Sequence, residues 1–401
     1  MIRSSKRWFA PACALALAGA ACGRPIAVQT AAPAADDAVA AAQAPREAPA
    51  TPAAASAVSA APAAQEASRD FVYVANQGEA TISVVDRDAH VEVRRIDLRA
   101  LGFSANAKPH HIVVEPDGSY WYVSLIGENR VLKFDRDNRL VAQVEFEVPG
   151  MLALHPTEDL LYVGRSMSAV NPPRSIGIVR RSTMELEDEV EVLYPRPHAI
   201  AVRPQGDVVY SASLAINQVA AVGVADGAVE LTDLEGPTHT LVQFAVSPDG
   251  RTLVGTTELT AKLLVFDLAD PGHPRPIRMI DVGARPWHPV FSPDGRTVWF
   301  GNKGANEVTV VDAGSWTVAA VVRGEGLAEP HGAAISPDGR WVFISNNNTG
   351  QPHGAHGGGT GATAGAAADG TLVVIDAAQK RIVKVIPVGA NAAGIGTRSG
   401  S

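Results

Sequence analysis

The stretch "KPHHIVVEPDGSYWYVSL", residues 108–125, contains the unit from which most of the chain is built. A proline and two histidines precede an apolar run, a Pro-Asp-Gly turn closes that run, and a second run of aromatic and β-branched residues follows. Proline fixes φ for a turn, aspartate bonds the local backbone and glycine adopts a positive φ. The stretch therefore predicts two antiparallel strands joined by a tight turn.

The same unit recurs along the chain. Its turns begin at residues 115, 155, 203, 247, 292 and 336, which is a spacing of about 40 to 48 residues. A third β-branched run follows each pair of strands and a fourth follows in most copies, and nothing between them has the length and period of a helix. Four short strands per repeat predict an all-β fold, a β-propeller in which each repeat is one blade.

The two ends of the repeat region are incomplete. The region opens with three strand-like runs, "FVYVANQ", "TISVVD" and "EVRRIDL", with no inner strand before them, and it ends with "GANAAGIGT", residues 389–397, with no partners after it. The six turns define six inner strands. We expect the last run to supply the missing inner strand of the first blade, which closes a seven-bladed β-propeller and removes its open edges.

The N-terminus has the features of an export signal. Residues 1–22 join a basic start to an apolar core that is too short to span a bilayer, which predicts a signal peptide. The core ends at Cys22, as in a lipoprotein attachment site, so we expect a mature chain that is lipid-anchored at Cys22 and periplasmic or on the cell surface. The alternative is ordinary cleavage near Ala20–Ala21 and free secretion.

Residues 23–69 are mostly Ala, Pro, Ser and Gln, a composition that cannot bury enough surface to offset the entropy of ordering. They predict a disordered tether before a globular head, residues 70–401. Both cysteines, Cys13 and Cys22, precede this head, which therefore has neither a disulfide nor a thiolate ligand. The formal net charge of −8 disfavours nucleic acid as a partner. We expect membrane contact only through the lipid anchor, and a monomeric head.

Histidines recur at the start of the predicted inner strands. Counted back from the turns, the first position holds His110, Gly150, His198, Val242, Trp287, His331 and Asn391, and the next holds His111, Met151, Ala199, Gln243, His288, Gly332 and Ala392. Four of the seven blades thus place an imidazole at one end of the central channel. His239, just upstream of its strand, and Asn391 are further candidates for the same site.

Neutral imidazoles at close quarters, without thiolates, suit copper or zinc. The sequence therefore predicts a metal site formed by His110, His111, His198, His288 and His331. A long insertion between the second and third strands of the last blade, residues 346–370, adds His353 and His356 and should overhang the same face. The alternative for this insertion is a low-complexity expansion with two incidental histidines.

The runs "FVYVANQGEATISVVD" (71–86) and "VWFGNKGANEVTVVD" (298–312), with "WVFISNNN" (341–348) before "TLVVID", resemble the YVTN-repeat propeller family, which includes YncE-like proteins. The resemblance covers essentially all of residues 70–397 and implies a seven-bladed propeller. It also implies an alternative for the histidines, because Pro-His-Gly at the head of an inner strand is ordinary in this family, where it caps the strand and bonds to neighbouring backbone.

Three functions follow from these observations. The preferred hypothesis is a module that binds a protein or small-molecule partner at the histidine-bearing face and performs no chemistry unaided. The second is an enzyme, either a metal-dependent oxidoreductase or a propeller lactonase. The lactonase would need axial carboxylates, and the candidates in loops of this face are Glu79, Glu128, Glu258 and Glu307. The third is haem d1 binding, as in the propeller of cytochrome cd1 nitrite reductase.

Overall fold

The computed structural model describes residues 70–166, 171–350 and 368–398. Within these residues the chain forms 28 β-strands, which associate into seven four-stranded antiparallel sheets. The predicted all-β, seven-bladed propeller is therefore confirmed. The predicted signal peptide and the tether of residues 23–69 lie outside the described residues. No helix in the described part of the chain is long and apolar enough to cross a membrane.

The strands are numbered in chain order and grouped here by blade. Blade 1 contains β1 (Phe71–Asn76), β2 (Thr81–Asp86), β3 (Val91–Asp97) and β28 (Ala392–Thr397). Blade 2 contains β4 (Pro109–Val114), β5 (Tyr120–Leu125), β6 (Arg130–Asp135) and β7 (Leu140–Glu145). Blade 3 contains β8 (Pro149–Leu154), β9 (Leu160–Arg165), β10 (Ser175–Arg180) and β11 (Glu185–Glu191). Blade 4 contains β12 (Pro197–Val202), β13 (Val208–Ser213), β14 (Gln218–Gly223) and β15 (Val229–Asp233). Blade 5 contains β16 (Leu241–Val246), β17 (Thr252–Thr257), β18 (Lys262–Asp267) and β19 (Arg275–Asp281). Blade 6 contains β20 (Val290–Phe291), β21 (Thr297–Asn302), β22 (Glu307–Asp312) and β23 (Thr317–Val322). Blade 7 contains β24 (Pro330–Ile335), β25 (Trp341–Asn346), β26 (Asp369–Asp376) and β27 (Arg381–Ala390). Two short 3-10 helices, Leu98–Leu101 and Ile126–Glu128, lie in connections.

The C-terminal strand closes the ring, as the sequence predicts. β28 pairs antiparallel with β1, so that Val72 lies opposite Thr397 and Tyr73 opposite Gly396. The Thr397 hydroxyl donates a hydrogen bond to the carbonyl of Phe71 at 2.9 Å. Arg398 forms an ion pair with Asp70 at 2.7 Å. Both ends of the repeat region therefore lie in one sheet, and neither leaves an unpaired inner edge.

The core consists of apolar layers between the sheets. Its largest fully buried side chains are aromatic, among them Trp121, Trp299 and Tyr210. Between blades 1 and 2 the ring of Trp121 stacks on Tyr73 at 4.4 Å and on Phe134 at 4.2 Å. Because most residues of the second and third strands of the blades are buried, the sheets hold each other in the ring through this packing.

The turns after the inner strands have the chemistry that the sequence predicts. Their glycines, Gly118, Gly206, Gly250, Gly295 and Gly339, have φ between 70° and 75°, where a side chain would be strained. Each turn closes with a hydrogen bond from the glycine N–H to the carbonyl three residues earlier, at 2.8 Å. These turns fix the far ends of five of the seven inner strands, opposite the end that carries the histidines.

Every inner strand also begins in the same way. In six blades the residue directly before it is a non-glycine residue with φ between 40° and 57°, and in blade 6 the equivalent residue precedes Pro286, which bridges to Asn302 ahead of β20. These residues are Lys108, Val148, Arg196, Thr240, Arg285, Glu329 and Asn391. In blade 2 a β-bulge follows, because Pro109 pairs with Leu125 while Ile112 already pairs with Val123. Such a bulge redirects the side chains of the unpaired residues, which here include both histidines of the opening stretch.

One prediction about register is wrong. The sequence alignment placed Asn391 level with His110, but Asn391 has φ 52° and precedes β28 as Lys108 precedes β4. Ala393 takes the level of His110. The physical reason is that no turn follows the last inner strand, so the sequence offers no fixed point from which to count back. Asn391 is therefore not at the level of the histidines.

Candidate functional site

The five histidines of the predicted site lie together. Ring centroids are 5.9 Å apart for His110 and His198, and 6.0 Å for His110 and His331. The separations are 4.9 Å for His288 and His331 and 5.7 Å for His111 and His288. These rings come from blades 2, 4, 6 and 7, and rings from blades that are not neighbours can meet only at the axis. We call this group the channel cluster.

Several ring nitrogens of the channel cluster have no hydrogen-bond partner in the described part of the chain. They are both ring nitrogens of His110, Nε2 of His288 and Nδ1 of His331. All three residues are buried, with exposures of 6%, 5% and 4%. A buried polar atom without a partner is costly and rare in native proteins. A bound water or ligand at the axis would satisfy these nitrogens.

Backbone contacts fix the tautomers of two other members. Nδ1 of His198 lies 2.7 Å from the carbonyl oxygen of Val242, which can only accept, so Nδ1 carries the proton and Nε2 keeps a lone pair. Nδ1 of His111 accepts the N–H of Leu152 at 3.1 Å, so in the neutral ring the proton lies on Nε2. His198 thus offers a lone pair, whereas His111 offers an N–H donor.

Burial keeps the channel cluster neutral. It lowers the pKa of His198, it lowers the pKa of His111 to about 3, and it places the pKa values of His110, His288 and His331 well below the usual histidine range. Charges of neighbouring imidazoles lower most of these pKa values further. At neutral pH the cluster therefore presents lone pairs and N–H donors without net charge.

Blade 6 contributes two more side chains to this end of the channel. Its inner strand β20 is short, because Pro289, directly before it, has no N–H to donate to the sheet. Trp287, between Pro286 and Pro289, places its ring 4.3 Å from that of His331. Lys303 follows β21, and its Nζ lies 5.1 Å from the centroid of the Trp287 ring.

Lys303 is absent from the site that the sequence predicts. A signal for it exists, since the residue after the second strand is neutral or acidic in every other blade. Those residues are Gln77, Ile126, Ser166, Leu214, Glu258 and Asn347. Comparison of this position around the ring would have marked Lys303 as the one cation.

The channel cluster meets part of the geometric requirement for a metal ion. Two imidazoles that bind one ion at about 2.0–2.1 Å keep their ring centroids within about 6.5 Å of each other. His110 fits this limit with His198 and with His331, and His288 fits it with His331. Among the described residues no group of three or more His, Cys, Asp or Glu side chains is arranged around one ion position. The centroid separations of these pairs are compatible with a shared ion, whereas a three-ligand group is not formed by the described side chains.

Both ring nitrogens of His239 form hydrogen bonds, so His239 does not share the unpartnered nitrogens of the channel cluster. Its Nδ1 bonds the hydroxyl of Thr260 at 2.9 Å, and its Nε2 bonds the carbonyl of Glu235 at 3.0 Å. His155, in the turn of blade 3, is satisfied in the same way, with bonds to Gly206 and to two backbone N–H groups. These two residues show what a structural histidine looks like in this fold. His353 and His356 lie outside the described residues.

The four glutamates considered for a lactonase each have a partner near their own loop. The pairs are Glu79 with Thr81 and Arg95, Glu128 with the N–H of Ser104, Glu258 with Arg285, and Glu307 with Asn302 and Arg323. These carboxylates are therefore bonded to residues near their own loops. The unpartnered polar atoms at the axis belong to the histidines.

Comparison with known proteins supports the fold. No family model matches this chain, and no curated protein matches it. A functionally unknown protein from Desulfotomaculum acetoxidans is 16% identical, with a TM-score of 0.65 over 83% of this chain and 100% of that one. The periplasmic gluconolactonase PpgL from Pseudomonas aeruginosa is 20% identical, with a TM-score of 0.62 over 82% of this chain and 98% of that one. The dihydro-haem d1 dehydrogenase NirN is 17% identical, with a TM-score of 0.54 over 81% and 74%. At these identities the likeness shows the propeller fold alone.

Proposed function

We propose that this protein is an exported propeller of the YVTN-repeat, YncE-like kind that binds a transition-metal ion, Cu(II) or Zn, at the channel cluster. The observation that carries the proposal is the convergence of unpartnered, buried ring nitrogens on His110, His288 and His331 at the axis. The lone pair on Nε2 of His198 adds a fourth donor residue.

The donor chemistry suits a metal of borderline softness. Imidazole must be neutral to coordinate, and burial keeps these rings neutral. The bond from His198 Nδ1–H to the carbonyl of Val242 is the arrangement that orients a histidine ligand in many metal sites. His110 has no ring hydrogen bond within the described residues, so turning its imidazole toward a three-ligand group would break none there.

The proposed role is binding rather than turnover. A metal ion held at the mouth of the channel would form part of a surface for a protein or small-molecule partner at the histidine-bearing face. Anchoring at Cys22, with the Ala/Pro-rich segment as a spacer, would hold this surface away from a membrane in the periplasm or at the cell surface. The partners of the four loop glutamates make a carboxylate-based lactonase site the weaker explanation.

The test is metal binding by the full chain after removal of metal with a chelator. Calorimetric titration should show one Cu(II) or Zn ion per chain, and the double variant His110→Phe/His331→Phe should lose it. Phenylalanine keeps the ring shape and removes every ring nitrogen. His273→Phe is the matched control, because His273 is exposed in a hairpin of blade 5. A double variant that folds and binds metal like the wild type contradicts the proposal.

A further inference from the structure

The outer wall of the propeller has an unusual charge pattern where blades 6 and 7 meet. The outermost strands of these blades, β23 and β27, contain no acidic residue. The outermost strands of the other five blades, β3, β7, β11, β15 and β19, each contain at least one Asp or Glu. Because the chain as a whole has a formal net charge of −8, this part of the wall differs from the rest in the sign of its charge.

A groove of about 530 Å³ runs between these two strands. Its apolar lining includes Val321 of β23 and both Ile382 and Val385 of β27. A Cβ on Gly326, which has φ 88°, would lie 2.7 Å from a methyl carbon of Val385, so glycine lets the loop after β23 approach β27 and shape the groove. The charged residues of the lining are one acid and four cations: Glu325, Arg323, Lys380, Arg381 and Lys384.

Two of the four cations have no counter-ion in the described part of the chain. Arg323 pairs with Glu307, and Arg381 donates to the side chain of Gln379. The ammonium groups of Lys380 and Lys384 form neither an ion pair nor a hydrogen bond there. Both lysines are exposed, so water stabilises them in the free protein and their charges are available to a partner.

The groove also contains an open strand edge. β27 has ten residues, is the longest strand of the described chain, and pairs with β26 alone. Alternate N–H and C=O groups of an unpaired edge can bond a further strand. Lysine on such an edge discourages pairing with a basic strand, which includes the same edge of a second copy, and favours an acidic one. Val318 and Val321 of β23, exposed by 41% and 38%, can cover the apolar side chains of that strand.

We propose that the groove between β23 and β27 binds an extended, acidic peptide segment of a partner protein, which adds to β27 as a fifth strand of blade 7. Carboxylates of the segment pair with Lys380 and Lys384, and its apolar side chains pack on Val321 and Ile382. A nucleic acid would satisfy the cations but leave the apolar lining and the strand edge unused. This surface lies on the outer wall, and the inference does not depend on the metal site.

The test uses the full chain and a fluorescein-labelled peptide of alternating Val and Glu, as long as β27, with binding followed by fluorescence anisotropy. The double variant Lys380→Glu/Lys384→Glu should weaken binding about tenfold, since each exposed ion pair contributes up to a factor of about five. Val321→Asp, which places a carboxylate in the exposed apolar lining, should weaken it as well. The matched control is Arg275→Glu/Arg278→Glu, the same charge reversal on β19, the outermost strand of blade 5.

Two further probes distinguish strand addition from attraction between charges. The same peptide with its central valines replaced by proline should bind much more weakly, because proline has no N–H to donate to a strand edge. Equal binding of the two peptides would contradict strand addition. Single-stranded DNA of equal charge should compete poorly, and DNA that competes as well as the peptide would overturn the choice of partner. The proposal is wrong if the wild type does not bind the peptide, or if the lysine variant and the control bind it equally.

Discussion

Replacing His110 by phenylalanine should stabilise the metal-free protein and at the same time weaken its metal binding. Both ring nitrogens of His110 are buried without a partner in the described part of the chain, so the substitution breaks no hydrogen bond there. An unsatisfied buried donor or acceptor costs about 1–3 kcal/mol. We therefore expect the free energy of unfolding at pH 7.5 to rise by about 1–3 kcal/mol, the opposite of the usual effect of a core substitution.

The gain in stability of the His110→Phe variant over the wild type should be larger at low pH. Burial, with the charges of His198 and His111, lowers the pKa of His110 well below its ordinary value of 6.5. Below that value the unfolded chain takes up a proton that the folded chain does not, so this histidine makes the wild type lose stability as the pH falls. At pH 5.5 the loss amounts to about 1.4 kcal/mol for one histidine. The phenylalanine variant escapes it.

The assay is urea unfolding of the metal-free full chain at pH 7.5 and 5.5, followed by tryptophan fluorescence and far-UV circular dichroism. His110→Leu accompanies His110→Phe, because the phenylalanine ring is slightly larger than imidazole and a tight fit would hide the gain. His273→Phe again serves as the surface control. If both His110 variants are destabilised by 1 kcal/mol or more with unchanged m-values, the His110 nitrogens hold the blades together and the binding argument fails.

Three further predictions test other parts of the molecule. Truncation after Val388 removes β28 and exposes the edge of β1, so the protein should aggregate and lose its cooperative melt; an unchanged thermal transition would disprove the ring closure. The metal-free wild type should lose stability steadily as the pH falls below 6.5, because the other channel histidines also take up protons in the unfolded chain and not in the folded one. The contribution of His111 should continue to about pH 3, where its folded-state pKa lies. A free energy of unfolding in urea that does not change with pH would contradict the neutral cluster. Cys22→Ser should move the protein from the membrane to the soluble fraction, and a mature N-terminus mapped beyond residue 22 by mass spectrometry would exclude the lipid anchor.

The fold could be predicted from the sequence because its signals are local. Each turn such as Ser247 to Gly250 carries its own hydrogen bonds and its own positive-φ glycine, and it marks the end of an inner strand without reference to the rest of the chain. Closure could be predicted by counting strands. The register of β28 could not, because Asn391 has no following turn to count from, and only the pairing with β1 shows its position.

The site could be predicted only in part. Ring symmetry brings together residues at equivalent levels, and this was enough to group the five histidines. Which nitrogen of each ring is free depends on contacts between blades, such as that of His198 with Val242, 44 residues away along the chain. No local pattern contains such a contact. The place of Trp287 beside the cluster likewise depends on a contact between blades 6 and 7, in which its ring lies 4.3 Å from that of His331.

The histidines occur at the start of the inner strand in only some blades, whereas the backbone conformation before that strand is the same in all of them. In all seven blades a non-glycine residue of positive φ precedes the inner-strand segment. Histidines follow it in four blades only, whereas Gly150, Val242 and Ala393 occupy the first position in blades 3, 5 and 1. If an imidazole were needed to cap the strand, these three blades would lack what the other four require, yet their strands form equally well. A strand-capping role therefore explains individual histidine–backbone hydrogen bonds, such as that of His198 to Val242. It does not explain why the other ring nitrogens are buried together without hydrogen-bond partners in the described part of the chain. A ligand at the axis explains both the restriction to four blades and the unpartnered nitrogens.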